Sequence, residues 1–283
     1  MTCDKYKISD VSQLIQPSDI IRLRTETPGM LKSMFTKNGG AVQIWTIAAL
    51  ILLLAVETVA EPQEYSQALL NYRDALSAIS SGDNSATIEI AFSRLDSLRS
   101  TLLSRTSAGH SLLESLPAEE FDRVNCVPGL LVLRTEVVFA EPDPTYFLGL
   151  AERQGRTVDR VFFHAYIRTY PKPAWPVYRE QQTDYSGCTL FGGGELADTY
   201  ALWDDFHRKY PGSYHPTVQN VLQDIEGEVG NSTCACGDKA SVVRELSVFA
   251  KRFPDSRAAA SASKRAQEVR ESRSGFRFHC ISG

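Results

Sequence analysis

The chain has 283 residues, 43% of them hydrophobic and 23% charged, with a formal net charge of −4. That balance belongs to a packed globular protein and excludes a wholly disordered one. Its 30 Lys and Arg residues form no basic block interleaved with aromatics, which argues against a general nucleic-acid surface, because phosphate binding needs a concentrated basic footprint.

Residues 1–40 are polar and carry Lys5, Lys7, Arg22, Arg24, Lys32 and Lys37. Residues 41–60 follow, apolar from Ile44 to Val56, with the small residues Thr58 and Ala60 framing a cleavage point before Glu61. A charged flank, a short apolar run and a small-residue exit make a secretory signal. The apolar run is about 13 residues, short of the roughly 20 a spanning helix needs. Two readings stand. In one, translation starts at Met30 or Met34, the signal is cleaved, and residues 1–40 are largely an untranslated extension. In the other, a cytoplasmic tail, held inside by its basic excess, precedes an uncleaved signal anchor that attaches the chain to the membrane. Both export the remainder and place it in the periplasm or outside the cell, or anchored with residues 61–283 beyond the cytoplasm. A buried helix of a cytosolic protein is the third option.

The exported part divides into an N-terminal helical region, 61–125, and a disulfide-containing helical-hairpin region, 126–283. From Glu61 to Arg105 the pattern predicts two helices broken at Gly82-Asp83-Asn84. Ile88, Ala91, Phe92, Leu95, Leu98 and Leu102 recur at helical steps in the second. Alternation through Leu131, Leu133, Val137 and Phe139 predicts a short strand between Pro128-Gly129 and Pro142. Thr145–Glu152 and Val158–Thr169 form a helical pair split at Gly155. Residues 170–194 form a long irregular connection, and helices resume from Leu196 to about Arg270.

One pattern occurs three times: Phe163, Tyr166, Tyr170; then Trp203, Phe206, Tyr210; then Leu246, Phe249, Phe253, each followed at once by Pro. Steps of three and four put the three side chains on one helical face. The proline stops the helix by pushing the preceding residue out of the α region. Arg168, Arg208 with Lys209, and Lys251 with Arg252 sit where cations suit the helix dipole. The copies start 40 and 43 residues apart, a spacing expected of stacked helical hairpins. The segments FHRKYPGS and FAKRFPDS resemble the F-x-x-K-Y/F-P-x-S junction of tetratricopeptide-like helical-repeat proteins of the bacterial cell envelope. The resemblance covers 158–270 and implies stacked hairpins that bind a protein partner. The chain departs from that family in its longer spacing and in lacking most of the Gly and Ala positions of a standard repeat.

Of six cysteines, Cys126, Cys188, Cys234, Cys236 and Cys280 lie beyond the apolar segment. In an oxidising compartment they are expected to pair and leave one free. Cys234 and Cys236 are too close to bond each other; one of them is expected to bond Cys280, and Cys126 to bond Cys188. Zinc on Cys234, Cys236, His279 and Cys280 is disfavoured by the spacing and by export, so no metal and no cofactor are expected. No hydrolase, zinc-protease or phosphate-loop motif occurs; Gly192-Gly193-Gly194 lacks the Lys-Ser/Thr of a P-loop and reads as a turn before a helix. No catalytic residue is assigned. The loop holding Trp175, Tyr178 and Tyr185 is the candidate partner-contact surface, since Trp and Tyr dominate binding hot spots.

The expectation is therefore a mainly α chain of helical hairpins, stacked in the tetratricopeptide manner, with a short β segment near 130–140. It acts as a non-enzymatic binding or scaffold protein for a protein partner in the cell envelope. An exported inhibitor or immunity protein against a secreted hydrolase would instead use a rigid loop within Trp175–Cys188. An enzyme would require two of His164, His207 and His215 to converge with a carboxylate such as Asp198, Asp204 or Asp205.

Overall fold

The computed structural model describes residues 60–83, 85–134, 137–172, 174–183 and 186–280. The expected signal or anchor, Cys3 and Tyr185 lie outside the described residues. Among the described residues no helix is long and apolar enough to cross a membrane.

The chain is mainly α-helical, with ten helices and two small two-stranded sheets among the described residues. Helices α1 (Ala60–Ser80) and α2 (Ile88–Leu102) pack together as the first hairpin. Gly82 takes φ +72° in the turn between them, and the Thr87 side chain accepts from the Ile90 N–H to start α2. The apolar positions read from the sequence, Ile88 through Leu102, are all buried. Two short helices follow, α3 (Leu112–Ser115), opened by a Ser111/Glu114 capping box, and α4 (Ala118–Asn125).

Where one strand is expected, two form. β1 (Leu130–Arg134) pairs antiparallel with β2 (Val138–Pro142), Val132 facing Ala140. Period-two alternation continues through the reversal, so alternation alone does not mark it. At Gly129 the backbone has φ +77°, and a Cβ would stand 2.7 Å from the Tyr146 ring and 2.8 Å from the Tyr72 hydroxyl. Only glycine fits there.

Asp143 caps α5 (Pro144–Gln154), accepting from the Thr145 and Tyr146 amides, and Gly155 ends it. α5 packs on α6 (Thr157–Thr169) as the second hairpin. The connection expected to be irregular contains a second small sheet, β3 (Arg179–Gln181) with β4 (Gly187–Thr189). Then come α7 (Glu195–Lys209) with α8 (His215–Asn231), and α9 (Lys239–Arg252) with α10 (Ala259–Arg270), two further hairpins. α7 lies against both α6 and α9, and α8 lies against α10, so successive hairpins stack side by side.

The threefold pattern has a threefold geometry. Tyr170, Tyr210 and Phe253 each cap their helix at nearly the same backbone angles, φ/ψ −119°/69°, −129°/64° and −126°/64°. Each donates its N–H to the carbonyl four residues back, on Tyr166, Phe206 and Phe249, at 2.8 to 2.9 Å. The two rings of each pair tilt against one another at 4.8, 5.2 and 5.1 Å. Phe163, Trp203 and Leu246 are fully buried at the first position. The copies do not occupy equivalent places, however. The first is on α6, the second helix of its hairpin, whereas the other two are on α7 and α9, which open theirs.

One apolar core runs from Tyr65 to Val269. Its aromatic centre is Phe92, edge-on to Phe147, Phe162 and Phe163 at 5.3 to 5.4 Å. Tyr214 stacks flat on Phe162 at 3.7 Å, and Trp203 donates its indole N–H to the Thr169 hydroxyl at 2.8 Å, tying α7 to α6. Such aromatic pairs contribute roughly 0.5–1.5 kcal/mol each beyond burial.

Candidate functional site

The segment between α6 and α7 is where the sequence concentrates its candidate contacts, and the structure braces it heavily. Tyr178, expected to face a partner, is 0% exposed. Its hydroxyl donates to Asp224 at 2.7 Å, so it is an internal anchor and the expectation is corrected. Burial, together with the Tyr170 phenol and the Asp224 carboxylate, holds its ionisation far above the ordinary phenol range. Next to it Arg179 donates to Asp224 at 3.0 Å and to Glu228 at 2.9 Å, two carboxylates one turn apart on α8. Thr189 donates to the same Glu228 and shares a hydrogen bond with Ser232. Trp175 stays half-buried, its ring covering Gly187 so closely that a Cβ there would lie 2.8 Å from it. Of the three aromatic contact candidates, Trp175 is the one whose described placement leaves it part-open to solvent.

Two disulfides lock this region. Cys188 bonds Cys236, and Cys234 bonds Cys280. The expected tie between the 234/236 pair and Cys280 is present. The expected Cys126–Cys188 bond is replaced, because Cys188 lies alongside the 234–236 segment while Cys126 ends α4. No cysteine among the described residues is a free thiol, contrary to the expectation of one left over. The backbone explains the pairing. Cys234-Ala235-Cys236 runs between Thr189 on one side and Arg277 on the other, in parallel register with both. Cys236 N–H donates to Thr189 at 3.0 Å and Ala235 N–H to Arg277 at 2.9 Å. Arg265 of α10 closes the cluster by donating to the Glu228, Val229 and Ser232 carbonyls at the end of α8.

The glycine run is more than a turn. Glu245 of α9, 2% exposed, accepts from the Gly192 and Gly194 amides at 3.0 Å each and from Ala197 N–H at 3.2 Å. A carboxylate from a neighbouring hairpin thus fills the amide cradle at the start of α7, where the helix dipole favours negative charge. Sequence reasoning missed Glu245 because it sits on the apolar stripe of α9 beside Val242, Leu246 and Phe249. A lone acid on a buried stripe, with a glycine run elsewhere, is the signal that was there to find.

The histidines do not assemble a site. His164 is exposed on α6. His207 and His215 place their rings 6.1 Å apart with no carboxylate bonded to either among the described residues. Asp204 and Asp205 are instead paired with Arg208, and Asp198 with Arg252. Cys188 and Cys236 place their sulfurs within 4.8 Å of a Glu180 oxygen, but those sulfurs are bonded to each other and offer no thiolate to a metal.

Several concave sites lie among the described residues, two of them against the first sheet. An open one of about 750 Å³ is lined by His110, Glu114, Phe121, Asp122, Arg134 and Val138, between α3–α4 and the first sheet. A smaller cavity of about 140 Å³ lies where β2, the start of α5 and the end of α6 meet, lined by Glu141, Asp143, Tyr166, Tyr170 and three prolines. Burial raises the Glu141 carboxyl above the usual carboxylate range despite Arg99 beside it. It pushes the Tyr170 phenol up to about 12.

Fold and site together define a disulfide-braced protein of stacked helical hairpins. Compared with models of known protein families, with curated proteins and with solved structures, the chain matches none.

Proposed function

We propose that the chain is an exported, non-enzymatic binding protein that presents its stacked helical hairpins to a protein partner in the cell envelope. The observation that carries this reading is lateral stacking: α7 is held between α6 and α9, and α8 against α10. Stacked helical hairpins are an architecture that binds through an extended face. Export is supported by two disulfides crossing on one three-residue segment, a pattern favoured by oxidising compartments. Trp175, beside the braced second sheet, is the aromatic assigned to the contact.

The test is made in the native host. A photo-crosslinking residue placed at Lys172 or Val248, both exposed, should trap one discrete partner, and Trp175→Ala should reduce the trapped fraction at least several-fold. Alkylation before lysis should find the cysteines protected. Recovery of fully alkylated, reduced protein from the cytosol would end the export reading, and crosslinks spread over unrelated proteins would end the partner reading.

A second reading, an inhibitor or immunity protein, is favoured by one observation: the β3–β4 hairpin is fixed by Cys188–Cys236 and by Arg179. In that case the trapped partner would be a secreted hydrolase, and its activity would fall on titration with the chain.

A further inference from the structure

The first copy of the aromatic–proline pattern differs from the other two in a way its structural role does not require. At the middle position the copies carry Tyr166, Phe206 and Phe249, and at the last Tyr170, Tyr210 and Phe253. The cap geometry is the same in all three, so phenylalanine serves the fold at both positions. The first copy alone has two hydroxyls, and it alone is followed by an excursion, whose Pro171 and Ala174 wall the 140 Å³ cavity lined by Tyr166 and Tyr170.

Those hydroxyls are not used internally. The phenols of Tyr72, Tyr178, Tyr200 and Tyr214 donate to Pro128 O, Asp224, Glu226 and Asp159. Tyr166 and Tyr170 have no hydrogen-bond partner among the described residues. No buried polar side-chain atom among the described residues is left unsatisfied, so these two unpaired hydroxyls are not sealed from solvent, and both residues line the cavity. Glu141 adds a carboxylate. Its Oε2 accepts from Arg99 at 3.4 Å while its Oε1 takes no bond among the described residues. Arg99 is itself held by Asp96 at 2.8 Å, so two acids flank that one cation. The lining contains Glu141 and Asp143 and neither Lys nor Arg.

The space far exceeds the roughly 10–15 Å³ that one water requires. Its walls supply oxygen acceptors, negative charge and two aromatic rings, and rings of this kind attract cations. From this juxtaposition we propose that the cavity between β2 and the end of α6 is a binding site for a small primary ammonium ion. The ammonium donates to Glu141 and to the Tyr166 and Tyr170 oxygens, and its short alkyl tail lies against Pro142, Pro144 and Pro171.

The probe is butylammonium, titrated into the purified oxidised chain while the amides of Leu131 and Ala174 are followed by NMR. Saturable shifts at these amides are expected. The Tyr166→Phe/Tyr170→Phe double variant should keep its thermal midpoint, since Phe already serves these positions in the other copies, and should bind about tenfold more weakly or worse. Glu141→Gln should weaken binding as well. The proposal is overturned if 1-butanol binds as well as butylammonium, if tetramethylammonium, which has no N–H to donate, matches it, if the double variant binds unchanged, or if no saturable shift is seen.

Discussion

Glu245 shows how much one residue can hold. Its carboxylate satisfies three amides at the junction of two hairpins while nearly sealed from water. Removing it orphans those donors, each at about 1–3 kcal/mol when buried. We expect Glu245→Ala to lower unfolding free energy by about 3 kcal/mol or more in urea, far beyond the effect of Ala at exposed Arg244 beside it. An unchanged urea midpoint would refute the cradle. Gly192→Ala should also destabilise, because φ there is +97° and a Cβ would come 2.7 Å from the Ser241 side chain. Asp159 poses a parallel case. It is 1% exposed, accepts from the Arg156 backbone at 2.7 Å and takes the Tyr214 hydroxyl at 2.8 Å. Tyr214→Phe keeps the ring stacked on Phe162 and removes that donor alone. The expected loss is about 1–3 kcal/mol, read from the denaturation midpoint.

At the level of elements, the aromatic–proline caps set where helices stop and the disulfides set what the ends are tied to. The tail from Phe276 to Cys280 is joined to 233–237 by backbone hydrogen bonds and by Cys234–Cys280. That bond closes a sequence separation of 46 residues, and loop entropy of that size corresponds to about 4 kcal/mol at most. Cys234→Ser with Cys280→Ser should therefore lower stability by about 2–4 kcal/mol and speed amide exchange at Ala235 and Arg277, leaving α1–α2 protected. Uniformly faster exchange along the whole chain would mean that the bond braces the entire fold instead of the tail.

The whole molecule carries a pH dependence written by its buried phenols. Burial raises Tyr170 and Tyr200 to about 12 and pushes Tyr72, Tyr166, Tyr178 and Tyr214 upward as well. A phenol raised in the folded state stabilises fully below its unfolded value near 10 and loses that contribution as pH climbs through the folded value. Stability should hold to about pH 10 and fall progressively above it, with phenolate absorbance rising at the unfolding step. Ionisation of these six phenols near pH 10 in the folded chain would contradict this. Glu141 follows the same sign at lower pH. Its raised carboxyl contributes stability that is fully present below the ordinary glutamate value and is lost as pH rises through the shifted one. Glu141→Gln should flatten that part of the profile.

Local pattern was enough for much of this architecture. The stripe from Ile88 to Leu102, the pair of helices around Gly155 and the three helix stops at Tyr170, Tyr210 and Phe253 follow from periodicity and from proline's demand on its neighbour, and both act within a few residues. The reversal between β1 and β2, the partner of Cys188, the burial of Tyr178 and the capture of the glycine amides by Glu245 were decided only in three dimensions. The last three depend on groups about 50 residues apart, such as Glu245 with Gly192 or Cys188 with Cys236, whereas β1 and β2 pair within one short segment whose alternation does not show where the chain reverses. No local period encodes which distant surface a residue will meet. The cavity at Tyr166 and Tyr170 belongs to both: their tyrosines are visible in the sequence beside the phenylalanines of the other copies, but Glu141 reaches them only through the fold.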